Sequence, residues 1–549
     1  MAKYEVSSKI VNATDLKDVV YYLNQLCNES KEGDVISFEP ETYTIKRDFA
    51  MQKFCYLSNN DAGIKSIAMP IIGKKNIVID GNGASLMGIS RIMPFYLLDS
   101  ENITIQNFTI DYVRPFYTQG EVIEADSESV LLKINKEEYP YYIKNNVVIF
   151  TGEDYSSYFM HGILEYEAET KRPAKDVIDN MSKSPITGKE EGEGLLRLYI
   201  PFNKVATVGN IMTIKHEERY IPAIGISNCK NITLKNIKIR HAGTMGVIAQ
   251  FSENITLDAV DVATDKNSTR VMSANADATH FVNCKGTILV ENCLLESQLD
   301  DVINVHGNYL RVVKVIDNTN LLVEIPHFQQ VGAFSLKDGN NITICDQPTM
   351  LSLAPSKLKT SKTINSRYYL LTLEEPYNFI QGNSYAIDDA DNHPEVIFRN
   401  NDCGRNRARG LLLTSTKKMI IENNKIDAEG SCIKVNSDMH FWYESSAIST
   451  LIIRGNKMRR ANKVVWGEGI VDIDPGMENQ KEGGYFHGDI IIEDNIVELD
   501  GQPFVFGYSF NSLTIKNNQF NINQNMKEEI PLSLENYGEL IVENNKIIK

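Results

Sequence analysis

One short unit, apolar-x-apolar-x-Asn, recurs along most of this chain and limits what it can fold into. It reads Asn102-Ile-Thr-Ile-Gln-Asn107, Asn231-Ile-Thr-Leu-Lys-Asn236, Ile288-Leu-Val-Glu-Asn292, Val396-Ile-Phe-Arg-Asn400, Met419-Ile-Ile-Glu-Asn423, Leu513-Thr-Ile-Lys-Asn517 and Leu540-Ile-Val-Glu-Asn544. Shorter copies stand at 76–79, 254–257, 451–453 and 490–492. Alternation turns one face of each strand inward, and Asn tolerates the left-handed corner that follows. Period 2 with abundant Asn and Gly excludes helical repeats. A propeller would place about four strands in each ~40-residue blade, and this spacing is shorter and irregular. The expected fold is all-β: a right-handed parallel β-helix whose coil takes roughly 20–30 residues. Corner Asn residues of successive coils should hydrogen-bond in a ladder. The open end of such a solenoid exposes backbone and core, so it needs a cap. Residues 15–29 supply one: Asp15 reads as a helix N-cap, and Leu16, Val19, Val20, Leu23 and Leu26 recur at helical spacing.

Two gaps interrupt the repeat. The first contains Val130-Leu-Leu-Lys-Ile134, Val147-Val-Ile-Phe150 and Leu195-Leu-Arg-Leu-Tyr-Ile200; the second contains Leu310-Arg-Val-Val-Lys-Val315, Leu321-Leu-Val-Glu-Ile325 and Tyr368-Tyr-Leu-Leu-Thr-Leu373. Both read as inserted antiparallel, barrel-like β domains. The chain then divides into an N-terminal cap with the first coils (1–116), insertion one (117–218), central coils (219–307), insertion two (308–392) and C-terminal coils (393–549). A length of 549 residues exceeds one ordinary globule but suits a solenoid with insertions. Insertions in repeat proteins gather on one face, often the binding face.

The central coils hold Asp277, Asp300 and Asp301, with the pair following the first by 23 and 24 residues. That is about one coil, so the three carboxylates should converge on one wall of a groove. Insertion two starts right after His306-Gly307 and should roof it. Close carboxylates cannot all ionise cheaply, so at least one should stay protonated. A proton donor beside ionised carboxylates is the equipment of an inverting glycosidase. Other residues could serve the groove. His280 and His306 lie near the Asp residues and could bond a hydroxyl or a carboxylate, or be plain turn histidines. Arg405, Arg407 and Arg409 alternate, so one or two of them should face the carboxylates, Arg409 foremost; the other reading is a solvated face. Trp442 and Trp466 are the only tryptophans, and an indole suits the apolar face of a sugar. Glu444 and Asp438 flank Trp442 in a loop and could bind hydroxyls, with a turn role open for Asp438.

A net charge of −16 argues against nucleic acid and anionic membrane surfaces. No apolar run reaches the roughly 20 residues of a membrane-spanning helix. Met1-Ala-Lys-Tyr-Glu-Val contains no signal-peptide core. We expect a secreted or periplasmic protein whose signal has been removed, with the cytoplasm as the alternative. Eight cysteines make no disulfide framework, and buried thiols such as Cys229, Cys284 and Cys293 are expected. No zinc spacing occurs; neither metal nor cofactor is expected.

The residues also resemble a known family. Ala276-Asp-Ala-Thr-His280, Cys284-Lys-Gly286, Glu296-Ser-Gln-Leu-Asp-Asp301 and Asn304-Val-His-Gly307 are similar to glycoside hydrolase family 110, the α-1,3-galactosidases. The likeness extends to Arg114-Pro-Phe-Tyr-Thr-Gln-Gly120, Arg407-Ala-Arg-Gly410 and Trp442-Tyr-Glu-Ser445, covering most of the chain. More distantly, Asn275-Ala-Asp277 and Asp300-Asp301 resemble motifs of the inverting polygalacturonases. The chain departs modestly, in the Val302-Ile303 that follows the Asp pair. The resemblance implies removal of terminal α-1,3-linked galactose with inversion and without cofactor, from blood-group B type or linear glycans. By the same resemblance Asp300 matches the general acid, and Asp277 with Asp301 matches the pair that activates water. An inverting enzyme commonly holds acid and base roughly 6.5–9.5 Å apart. The competing readings are another inverting β-helix glycosidase, a polysaccharide lyase with calcium on these carboxylates, and a non-catalytic glycan-binding solenoid. Oligomeric state is not legible.

Overall fold

The computed structural model describes residues 2–157, 162–177, 185–200, 204–216, 219–460, 467–476 and 484–549. Its repeat strands stack in parallel and in register. One column of inward residues runs through Ile77, Ile103, Ile232, Ile255, Ile288, Val396, Met419, Leu451, Ile490, Leu513 and Leu540. This is a parallel β-helix whose continuous core is the stacked apolar face of the repeat. The register passes straight from Ile103 to Ile232 and from Ile288 to Val396, so both insertions loop out of an unbroken solenoid.

The corner residues Asn76, Asn102, Asn107, Asn231, Asn236, Asn254, Asn292, Asn400, Asn423, Asn517 and Asn544 all have left-handed backbone, with φ between 49° and 62°. Their amides form the expected ladder, Asn102 to Asn76 at 2.8 Å, Asn231 to Asn102 at 2.9 Å and Asn254 to Asn231 at 2.9 Å. A second ladder, not anticipated, lies one residue further on and is buried in its central rungs. Asn401, Asn424, Asn456, Asn495, Asn518 and Asn545 bond in sequence at 2.9–3.1 Å. Buried amides must find partners, and a stack of identical amides supplies them along the axis.

The cap is shorter than its sequence pattern. The helix spans Val19–Glu29, and Asp18, not Asp15, caps it by accepting from the Tyr21 N–H at 3.0 Å. Leu16 lies outside the helix and is exposed, because Lys17 takes a left-handed turn just before the cap. Val20 and Leu23 are fully buried against the first coils.

Insertion one forms a nine-stranded antiparallel sheet with its own core around Val122, Leu132, Phe150 and Leu198. Insertion two is a closed six-stranded barrel, Leu310–Val315, Asn320–Glu324, Tyr368–Leu373, Ser352–Thr363, Asn341–Asp346 and Tyr385–Asp389. All eight cysteines are buried and unpaired. No described helix is long and apolar enough to cross a membrane.

Candidate active site

Pairing of Thr279–Val282 with Ile303–Asn308 sets Thr279 opposite Ile303, a coil of 24 residues. Asp301 therefore stacks on Asp277, and its N–H donates to Asp277 Oδ1 at 3.1 Å. One coil on, Ile303 pairs with Leu411, which brings Arg409 onto Asp301. Arg409 grips that carboxylate through Nε at 2.8 Å and Nη2 at 2.7 Å, while its backbone N–H adds a third bond at 3.1 Å. Asp277, Asp301 and Arg409 thus form one column across three coils. Asp300, next to the column, leans outward and is the most exposed of the three carboxylates. Arg219 Nη2 donates to its Oδ2 at 2.6 Å, and Arg409 stands 3.7 Å from Oδ1.

Asp300 faces a cavity of about 370 Å³. Insertion two contributes His327, Phe328 and Gln329 to its wall, and the loop after Asp438 contributes Phe441 and Trp442, as the sequence suggested. Insertion one, not foreseen as a wall, adds Gly162–Leu164, Thr213 and Lys215. Arg407 and Arg409 both line the cavity, whereas Arg405 pairs with Glu296. Trp442 packs on His327 with ring centroids 3.9 Å apart and sits 5.6 Å from the Arg219 guanidinium. Trp466 lies outside the described residues.

Besides Asp277 and Asp301, four predicted residues are not brought to the cavity. Asp438 spends its carboxylate on the N–H groups of His440, Phe441, Trp442 and Tyr443 at 2.7–3.2 Å, which shapes the turn presenting Trp442. Glu444 accepts from Asn59 Nδ2 at 2.7 Å and lies 3.5 Å from His306 Nε2. His280 bonds Asp277 through Nδ1, and its Nε2 lies 3.0 Å from that of His306. All four are deeply buried behind the wall. Gly307 lets the Glu444–Ser445 strand pair with Gly307–Asn308, since a Cβ at Gly307 would run into Ser445 Oγ.

Arg219 is the residue that sequence reasoning missed. It belongs to no motif and sits where the chain leaves insertion one; only that position hinted at the groove. Asn59 was equally invisible, 385 residues from Glu444.

Burial dominates the electrostatics of the two inner acids alike. Burial, then the charge of Asp300, pushes Asp277 up to about 8. Burial raises Asp301 likewise, and Arg409 on both of its oxygens opposes the rise without cancelling it. Burial and the facing His306 hold His280 well below the usual imidazole range, so it is neutral. Oxygens of the three acids lie within 4.8 Å of one another. That is tighter than the separation expected from sequence, so spacing alone does not assign the stereochemistry here. A cation could bridge such a group, but Arg219 and Arg409 already supply the counter-charge.

Residues 118–212 match the family model described as GLAA-B beta-barrel domain I, and residues 320–378 match GLAA-B beta-barrel domain II. Alpha-1,3-galactosidase A of Shewanella woodyi is 33% identical over 470 residues, 84% of this chain and 76% of that one. Alpha-1,3-galactosidase B of Parabacteroides distasonis is 30% identical over 526 residues, 92% of this chain and 85% of that one. The B enzyme of Bacteroides thetaiotaomicron is 28% identical over 564 residues, 98% and 91% of the two chains. With identities of this size spread over most of both chains, and matches to both barrel insertions, the chain belongs to the α-1,3-galactosidase family of glycoside hydrolases.

Proposed function

We propose that this protein removes terminal α-1,3-linked galactose from the non-reducing ends of glycans, with inversion. The observation that carries this reading is the Asp277–Asp301–Arg409 column with Asp300 alone turned into the cavity. Asp300 is the carboxyl that can meet a glycosidic oxygen and protonate it. Asp277 and Asp301 lie behind, held by His280 and Arg409, and neither is free to attack carbon. They act on water instead, which favours inversion over a covalent intermediate. Trp442 offers a flat apolar face to a hexose, while Phe328 and Phe441, 69% and 60% exposed at the wall, suit the sugar that leaves. Walls from both insertions suit a chain end better than a through-running polymer. The names of the relatives supply the sugar and linkage. A lyase would need these carboxylates for a cation, and Arg409 takes both oxygens of Asp301.

The test is hydrolysis of blood-group B trisaccharide and linear Gal-α-1,3-Gal glycans, followed by NMR of the first product anomer. We expect β-galactose first. Release of α-galactose first overturns inversion, and failure on both glycans overturns the substrate.

A further inference from the structure

Behind the cavity wall, titratable side chains form an unbroken line. Asp277 Oδ2 bonds His280 Nδ1. His280 Nε2 lies 3.0 Å from His306 Nε2, and His306 Nδ1 lies 2.7 Å from the Gly307 carbonyl oxygen. Glu444 Oε1 stands 3.5 Å from His306 Nε2 and is fixed by Asn59. Each member of the line from Asp277 to His306 is at most 2% exposed.

With His280 neutral, counting donors and acceptors leaves two states. A carbonyl only accepts, so His306 Nδ1 carries a hydrogen. If His306 is neutral, its Nε2 accepts from His280. His280 Nδ1 is then bare, and Asp277 must be the donor, a protonated acid. If His306 is an imidazolium, its Nε2–H donates to His280, and His280 Nδ1–H donates to Asp277, now a carboxylate. One proton occupies either end of the line.

We infer that Asp277, His280 and His306 form a proton relay, biased by Glu444, that makes Asp277 rather than Asp301 the base of the reaction. This rests on the hydrolase reading above. Glu444 stabilises the imidazolium state by facing His306. Arg219 and Arg409 stabilise the same state by facing the Asp277 carboxylate, and the Asp301 N–H donates to it, against the charge of Asp300, which opposes it. Asp301 has no such outlet, because Arg409 holds both of its oxygens. In the reaction a water O–H bond breaks, its proton goes to Asp277, and its oxygen bonds the anomeric carbon. The glycosidic C–O bond breaks toward the leaving oxygen, which takes the proton of Asp300. Asp277 then holds one proton too many and Asp300 one too few, and exchange with solvent restores both. His280, His306 and Glu444 are positioning residues acting through Asp277.

Two variants and one spectrum test this. Glu444→Gln should drive the proton toward Asp277 and move the acid limb of kcat/KM up by roughly 1 pH unit or more. His306→Gln cannot hold the extra proton, so kcat should fall roughly 10²-fold, on natural and aryl galactosides alike. Histidine ¹⁵N shifts of the free protein should show the His306 imidazolium weakened in Glu444→Gln. If His306→Gln does not fold, Glu444→Gln and the ¹⁵N shifts decide. An unmoved acid limb, unchanged ¹⁵N shifts, or a His306→Gln enzyme with wild-type kcat and pH profile overturns the relay. A wild type inert on every α-1,3-galactoside overturns the function instead, while the ¹⁵N shifts still read the proton.

Discussion

Two clusters of carboxylates and arginines sit on this solenoid and come to different ends. In one, Asp277, Asp300 and Asp301 meet Arg219 and Arg409. In the other, Asp427 and Glu429 meet Arg172 and Arg459. Arg172 reaches from insertion one to both acids, bonding Glu429 at 2.7 Å, and Arg459 from the next coil bonds Asp427 at 2.6 Å and 3.1 Å. The chemistry is the same and the surroundings are not. Glu429 is fully buried and clamps insertion one to the coils. Asp300 keeps one face open to a cavity walled by both insertions, the Trp442 loop and the neighbouring coils. A cavity of about 740 Å³ also lies beside the second cluster, lined by Arg172 and Arg459 but by neither of its acids; a carboxylate cluster on a solenoid becomes a site where a carboxylate itself faces the cavity, and elsewhere it is a fastener.

The largest effect expected separates the two clusters by activity. Asp300→Asn should lower kcat on natural galactosides by roughly 10²–10⁴-fold or more. An activated aryl galactoside, which needs less protonation, should suffer less. Glu429→Gln should leave kcat near wild type. Equal losses in both variants would erase the distinction.

The next compares the arginines. Removing one partner of a buried pair costs about 3–5 kcal/mol, so Arg409→Met and Arg172→Met should both lower the urea midpoint. Arg409→Met should also silence turnover, because Asp301 loses its grip. Arg172→Met should act mainly on KM, through the wall at Gly162–Leu164. A Arg172→Met protein with intact stability would show that the clamp is ornamental.

The smallest effect is a slope with pH. Burial, opposed by Arg172, pushes Glu429 up to about 7, above the unfolded glutamate near 4.3. A raised folded value means stability that is full below about pH 4 and is lost as pH rises through 7. Glu429→Gln removes that loss. Its Tm relative to wild type should therefore rise between pH 5 and 8, by an amount worth about 1–2 kcal/mol. Asp277→Asn should show the same sign. A falling difference in either variant contradicts the burial argument.

The sequence by itself determined the solenoid, its cap, its two interruptions and the coil-length spacing of the three acids. These are local properties: alternation, corner Asn residues and residue count repeat with the coil, so they are legible in one dimension. Even there, the cap began at Asp18 rather than Asp15, because a pattern of apolar spacing cannot see the turn at Lys17. Only the tertiary structure decided which acid faces the cavity, since stacking by 24 residues aligns Asp301 with Asp277 and turns its neighbour Asp300 outward. It likewise brought in Arg219 and Asn59, and set Asp438, Glu444, His280 and His306 behind the wall. The Arg219–Asp300 and Asn59–Glu444 contacts join residues 81 and 385 positions apart. No short-range pattern encodes them, because they depend on how insertions fold back over coils whose register the repeat alone supplies.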